Sequence, residues 1–347
     1  MIDTVRDAYI KYSSVHYVGD AQSNRLLLTD NTLELEGHLK ETLEKYFLSS
    51  FSDEEQFSFS HPVDIHMNEM FMLVRDMFLS GGANLHEVSK NIAKFLQTKS
   101  THPQIKGGEL YVVYFCNCRY KTQKVDAIGV FKSENKEPFL HITERKNTID
   151  VTSLNGVNIK KLDKGALILN TNEESGYHIH IVDNTNRGAE ALYWVKDFLQ
   201  VEPIADNYYF TQSILKGVNE FIRNDLPERV DIQKSEQAEL LSSSVSFFKE
   251  NDMFCMDDFE KEVLRHDDII QCFREYVQDT EDVDMPVSGE FTLSHQAVQK
   301  HTRRMKSVIK LDKNFHIYVH GGDGLIKKGY DPETGMAFYQ LYFKEEE

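Results

Sequence analysis

The chain has 347 residues and a mass of 40.3 kDa, with 40% apolar and 27% charged residues, 16 Tyr and 22 Phe. It is too long for one ordinary core and too apolar to be disordered, so two globular domains are expected. Its 39 basic against 56 acidic residues, net −17, exclude a uniformly basic nucleic-acid coat.

In chain order, residues 8–18 alternate and predict a strand, and 25–29 a second, with turn chemistry at Gly19-Asp20 and Ser23-Asn24. Leu35, Leu39, Leu43, Tyr46 and Phe47 recur at helical spacing. Residues 67–78 predict a helix apolar almost all round, ended by Gly81-Gly82, and 85–96 a third with Val88, Ile92 and Phe95 on one stripe. Gly107-Gly108 opens the strongest strand, 110–120, which returns through 125–131 as an antiparallel hairpin. Residues 138–143, 165–170 and 177–182 are expected to continue that sheet, and 189–199 to form a helix. At Val201-Glu-Pro203 the pattern turns from strands to helices. Phe210, Ile214, Val218, Phe221 and Ile222 make one amphipathic stripe, and Ala238, Leu241, Val245 and Phe248 another. Shorter helices are predicted around Met256, Phe259 and Val263, and around Ile269 or Ile270 and Phe273. A break at 286–289, a helix over 293–305 and short strands complete the chain. The expected class is α+β. Residues 1–204 form an antiparallel sheet with covering helices. Residues 205–347 form a helical segment and a small C-terminal antiparallel sheet, a β-meander.

The acidity is uneven. Residues 250–290 hold 14 acidic against 3 basic side chains, and residues 300–328 hold 8 basic against 2 acidic. Cys116, Cys118, Cys255 and Cys272 are too few for a disulfide scaffold, so free thiols are expected, with Cys116 and Cys118 on one face of their strand. No basic region followed by an apolar run opens the chain, and no run is long enough to span a membrane, so a cytoplasmic protein is expected.

Chemistry-bearing motifs are few. His178 and His180 share one face of a strand near Asp183, but two ligands do not make a metal site. His61, Asp64, His66 and Glu69 lack the spacing that aligns two ligands on a helix, and His61-Pro62 is better explained as a helix cap. Gly321-Gly-Asp-Gly324 lacks the Lys-Ser/Thr ending of a phosphate loop and reads as a hairpin turn. Asp331-Pro-Glu-Thr-Gly335 reads as a turn closed by a left-handed glycine. Gly107-Gly108 precedes its strand, so it is no dinucleotide fingerprint, and no Gly-x-Ser-x-Gly elbow is present. No catalytic residue, metal ligand or cofactor is assigned. An enzyme built around His178 and His180 is the weakest of three readings.

Several segments together resemble the bacterial nucleoid-associated protein family of the NdpA type. They are Lys106-Gly-Gly-Glu-Leu-Tyr-Val-Val-Tyr-Phe-Cys-Asn-Cys-Arg-Tyr120, Asp163-Lys-Gly-Ala-Leu-Ile-Leu169, Lys310-Leu-Asp-Lys-Asn-Phe-His-Ile-Tyr-Val-His320, Gly329-Tyr-Asp-Pro-Glu-Thr-Gly335 and Tyr339-Gln-Leu-Tyr-Phe343. Residues 233–289 match only in helical and acidic character. The resemblance implies a cytoplasmic protein associated with the bacterial chromosome and carries over no catalytic residue.

The leading expectation is a non-enzymatic nucleoid protein that binds DNA with little sequence specificity. A local basic patch would hold phosphates: Lys300, Arg303, Arg304, Lys306, Lys310, Lys313, Lys327 and Lys328. On a helix Lys300, Arg303 and Arg304 would share one face. The plainer account is that this patch neutralises the acidic helices before it. The rival function is an acidic adaptor that reaches the nucleoid through a basic DNA-handling protein docked on residues 250–290.

Overall fold

Val112 and Tyr114 face one way from their strand, Val113 and Phe115 face the other, and all four are buried. A strand covered on both sides reads as a continuous apolar run. The computed structural model describes residues 7–23, 25–51, 55–185, 192–281, 283–319, 325–343 and 345. The chain divides into two compact units, residues 1–204 and residues 205–347.

In the first unit the elements run β1 (Tyr9–Val18), β2 (Leu26–Leu27), α1 (Gly37–Leu48), β3 (Phe57–Phe59), α2 (Glu69–Leu79), α3 (Leu85–Lys99), β4 (Gly108–Tyr120), β5 (Gln123–Ser133), β6 (Glu137–Arg145), β7 (Thr148–Gly156), β8 (Lys164–Leu169), β9 (His178–Asp183) and β10 (Val201–Pro203). Eight strands form one antiparallel sheet in the order β10-β3-β9-β8-β5-β4-β1-β2. Helices α2 and α3 and a π-helical segment, Tyr193–Leu199, contribute Val74, Ile92 and Trp194 to the core on one face. Helix α1 packs Tyr46 and Phe47 on the other, where the Phe47 and Phe131 rings stack 4.4 Å apart. The α+β class is as expected from the pattern.

Four details differ from the sequence reading. Residues 138–143 do not continue the sheet; β6 pairs only with the unforeseen β7, as a separate two-stranded ribbon. Cys116 and Cys118 lie on opposite faces, because a bulge between Phe115 and Cys118 takes up one residue, Asn117, at φ 61°. Cys118 is buried and its thiol is pushed up to about 12 by that burial; all four cysteines are free. Helix α2 starts at Glu69, capped by Asn68, whose side chain accepts from the Phe71 N–H at 2.9 Å. His61 instead accepts from the backbone of Val63, and Asp64 caps a short turn at Ile65–Met67. The helix expected over 189–199 is the π-helical Tyr193–Leu199; its first three residues lie outside the described ones. Gly82 follows α2 at φ +82°, and a Cβ there would lie 2.7 Å from the Tyr114 ring, so only glycine fits this chain reversal.

The second unit contains α4 (Asn207–Glu220), α5 (Leu226–Arg229), α6 (Lys234–Glu250), β11 (Met253–Cys255), α7 (Met256–Phe259), α8 (Asp267–Asp279), β12 (Glu290–Thr292), α9 (His295–Thr302), β13 (Val308–Leu311), β14 (Phe315–Tyr318), β15 (Ile326–Asp331) and β16 (Met336–Leu341). A π-helical turn, Phe221–Asp225, joins α4 to α5. The expected stripes converge: Ile214, Val218, Phe221, Ile222, Leu241 and Phe248 share one core. The C-terminal strands form two separate two-stranded ladders, β13-β14 and β15-β16. Ile309, Val319, Ile326 and Tyr339 bring them onto Ala238 of α6. The 331–335 turn is present, with Gly335 at φ +68°. The turn expected at 321–324 lies outside the described residues. Among the described residues no helix is long and apolar enough to cross a membrane.

Candidate nucleic-acid interface

Helix α6 organises the charges of the second unit. Its apolar side is held in the core, and its two flanks border clefts of opposite sign. One cleft, about 400 Å³, is walled by Arg223, Lys234, Lys306 and Lys310 together with Asn224 and Gln237, and no carboxylate lines it. The other, about 460 Å³, is lined by Asp231, Glu236, Glu239 and Asp268 against Arg265 and His266.

The basic cleft is assembled from three elements. Arg223 projects from the π-helical turn; its Nε donates to Asn219 Oδ1 at 2.9 Å and its Nη2 to the Lys306 carbonyl at 2.6 Å. Two of five guanidinium donors are therefore used in positioning the group. Lys234 begins α6 and donates to Gln237 Oε1 at 2.7 Å, while Gln237 donates to the Ile222 carbonyl at 2.7 Å. The Ser307 hydroxyl donates to the Ala238 carbonyl, which ties the segment after α9 to α6. Lys310 extends from β13, where it pairs with His316. All four cationic residues are exposed.

A third cleft of about 360 Å³ continues along α6 past Lys306 to Lys249, with Glu250 its one carboxylate. Lys234 and Lys249 are fifteen residues apart, so about 22 Å of helix separates them, and they sit within about 60° on its circumference. That length matches about six phosphates of one DNA strand.

The structure brings two of the eight expected residues, Lys306 and Lys310, into the basic cleft. Helix α9 stops at Thr302, so Arg303 and Arg304 lie in the following turn and the helical face expected for Lys300, Arg303 and Arg304 does not form. The Lys300 ammonium lies 5.9 Å from the Tyr208 ring. Lys313 is exposed in the β13–β14 turn. Lys327 and Lys328 project from opposite sides of β15, and Lys327 lies 5.5 Å from the Tyr342 ring. Arg223, Lys234 and Lys249 escaped the sequence reading because each is an isolated cation in its own segment.

Among the described residues no ion pair joins Arg303, Arg304, Lys306, Lys310, Lys313, Lys327 or Lys328 to a carboxylate. Glu260 pairs with Arg274 at 2.5 Å and Glu275 with Arg229 at 3.3 Å. Asp257 and Asp258 occupy the first turn of α7, and Asp267 and Asp268 that of α8, where carboxylates favour the helix dipole.

His178 is held by two hydroxyls, Tyr120 Oη at 3.0 Å from Nε2 and Thr171 Oγ1 at 3.0 Å from Nδ1. His180 is buried. Among the described residues no group of three His, Cys, Asp or Glu side chains is placed to hold a metal ion.

A protein-family model, NA37, described as nucleoid-associated protein YejK, matches residues 14–336. No curated protein matches the chain.

Proposed function

The chain belongs to the nucleoid-associated protein YejK family, and from that membership we propose that it binds DNA directly, without catalysis, by holding phosphates in the basic cleft beside α6. The observation that carries this reading is the convergence of Arg223, Lys234, Lys306 and Lys310 on one concavity without a carboxylate, in a chain of net charge −17. Cations gathered in a concave surface focus a field that a strongly acidic protein otherwise lacks. Phosphate contacts position a protein on DNA but carry no sequence information, so little specificity is expected. The protein then acts at the nucleoid, in the cytoplasm. Of the residues proposed from the sequence, Lys306 and Lys310 are central, and Lys300, Arg303, Arg304, Lys313, Lys327 and Lys328 flank the contact.

The test is a salt series of fluorescence anisotropy on two unrelated duplexes. Replacing Arg223, Lys234, Lys306 and Lys310 by Gln is expected to weaken both on the order of 100-fold at low salt and to lower the log–log salt slope by about 4. If the fourfold variant binds like the parent protein, the cleft is not the DNA site.

One observation favours a second reading, an adaptor for a basic DNA-handling protein. The carboxylates of Asp231, Glu236, Glu239 and Asp268 rim the cleft on the opposite flank of α6. Failure of the parent protein to bind any duplex would move this reading to first place.

A further inference from the structure

The basic cleft and the third cleft share Lys306, so together they make one track along α6. The basic cleft has apolar lining from Ala238, Leu241 and Ile309. The third cleft continues that lining with Val245, Met305 and Val319, and Tyr318 joins it. The β13–β14 ladder pairs Val308 with Tyr318 and Lys310 with His316, so these four side chains share one face. Val308 and Lys310 line the basic cleft and Tyr318 the third, so this face borders both. Tyr318 is 60% exposed, and His316 beside it is exposed as well.

We propose that this track takes single-stranded DNA in preference to duplex, with a base stacked on Tyr318. The inference rests on the reading that Arg223, Lys234, Lys306 and Lys310 hold phosphates. Charge selects a polyanion: with Lys249 these cations line the track, and Glu250 is the one carboxylate among its walls. The apolar lining and the exposed ring then select among polyanions. A duplex keeps its base faces stacked inside and turns phosphates, sugars and base edges outward. It therefore leaves the lining and the ring uncovered. An unpaired strand offers each base as a flat face while its phosphates stay on the cations. Cations along a groove with an aromatic platform beside them are the means of single-strand binding without sequence preference.

Fluorescence anisotropy on the full chain tests this with three probes: a strand of about ten thymidines, a duplex of the same length, and an abasic strand with the same phosphates. The parent protein is expected to bind the thymidine strand about tenfold tighter than either of the others. Tyr318→Ala is expected to lower the affinity for that strand about tenfold and bring it level with the abasic one. The salt slope is expected to stay as it is, because no cation is removed. Tyr318→Phe keeps the ring and is expected to keep the preference. If the parent binds thymidine strand and duplex equally, or Tyr318→Ala retains the full preference, the single-strand proposal falls and the phosphate cleft stands. If the parent binds none of the three, both fall. A glutamate peptide of equal charge that competes as well as the thymidine strand would also overturn the proposal.

Discussion

Glu134→Ala is expected to destabilise the N-terminal unit by about 3–5 kcal/mol, the cost of leaving a buried charge without its counter-ion. Lys132 is fully buried on β5, with Glu134 3.0 Å away and also buried. Burial pushes the Lys132 ammonium down, and the Glu134 charge opposes that. Lys132 donates further to the Lys106 carbonyl at 2.7 Å, and Tyr193 Oη donates to Glu134 at 3.1 Å. Directly across the ladder stands Lys164, also buried, 2.7 Å from Asp183. The Tyr193 ring lies 5.7 Å from the Lys132 ammonium and 5.4 Å from that of Lys164. Removing Glu134 leaves the Lys132 charge beside another cation. Lys132→Met with Glu134→Leu removes both charges and is expected to recover more than half of the loss; the stranded Tyr193 hydroxyl keeps about 1–2 kcal/mol of it. Urea unfolding followed by Trp194 fluorescence reads this unit alone, because the single Trp of the chain is buried in its core. An equal or larger loss in the double variant would show that the ion pair is not what holds this part of the core.

Acid is expected to weaken the same unit by about 2 kcal/mol between pH 7.5 and pH 5 through His16. The ring is buried, accepts from the Thr29 N–H at Nδ1 and lies 2.8 Å from Ser89 Oγ at Nε2. Burial, with His86 and Lys90 nearby on α3, holds it down to about 4 from the usual 6.5. The fold thus stabilises the neutral ring. Its contribution is complete above pH 6.5 and is lost as pH falls towards 4, because the unfolded chain takes up the proton first. His16→Gln is expected to be less stable at pH 7.5 and to lose much less on acidification. Parallel losses in parent and variant would assign the acid sensitivity elsewhere.

Both predictions rest on groups that the sequence reading passed over. Lys132 and Lys164 look like any strand lysine until β5 and β8 pair, and His16 sits in an alternating segment whose buried face is set by α3. The nearer the feature to local periodicity, the more was legible. Helices α3, α4 and α6 and the β4–β5 hairpin are written in spacings of two or of three and four residues, which act within one element. The π-helical turns at 193–199 and 221–225 were not legible, because their apolar stripes differ too little from those of an α-helix.

The sequence by itself determined the α+β class, the change from strands to helices after residue 200, and a net acidity that forces any DNA contact into a local patch. It also marked residues 300–328 as basic, and Lys306 and Lys310 are among the cations of the cleft. Only the tertiary structure decided which cations stand together. Arg223 meets Lys306 across 83 residues of chain through one hydrogen bond to a carbonyl, and such an encounter leaves no trace in composition or spacing. It also decided that the Asn117 bulge sends Cys116 and Cys118 to opposite faces, and that β6 and β7 leave the sheet. Alternation records which side chains share a face; what covers that face is set by elements distant in the chain.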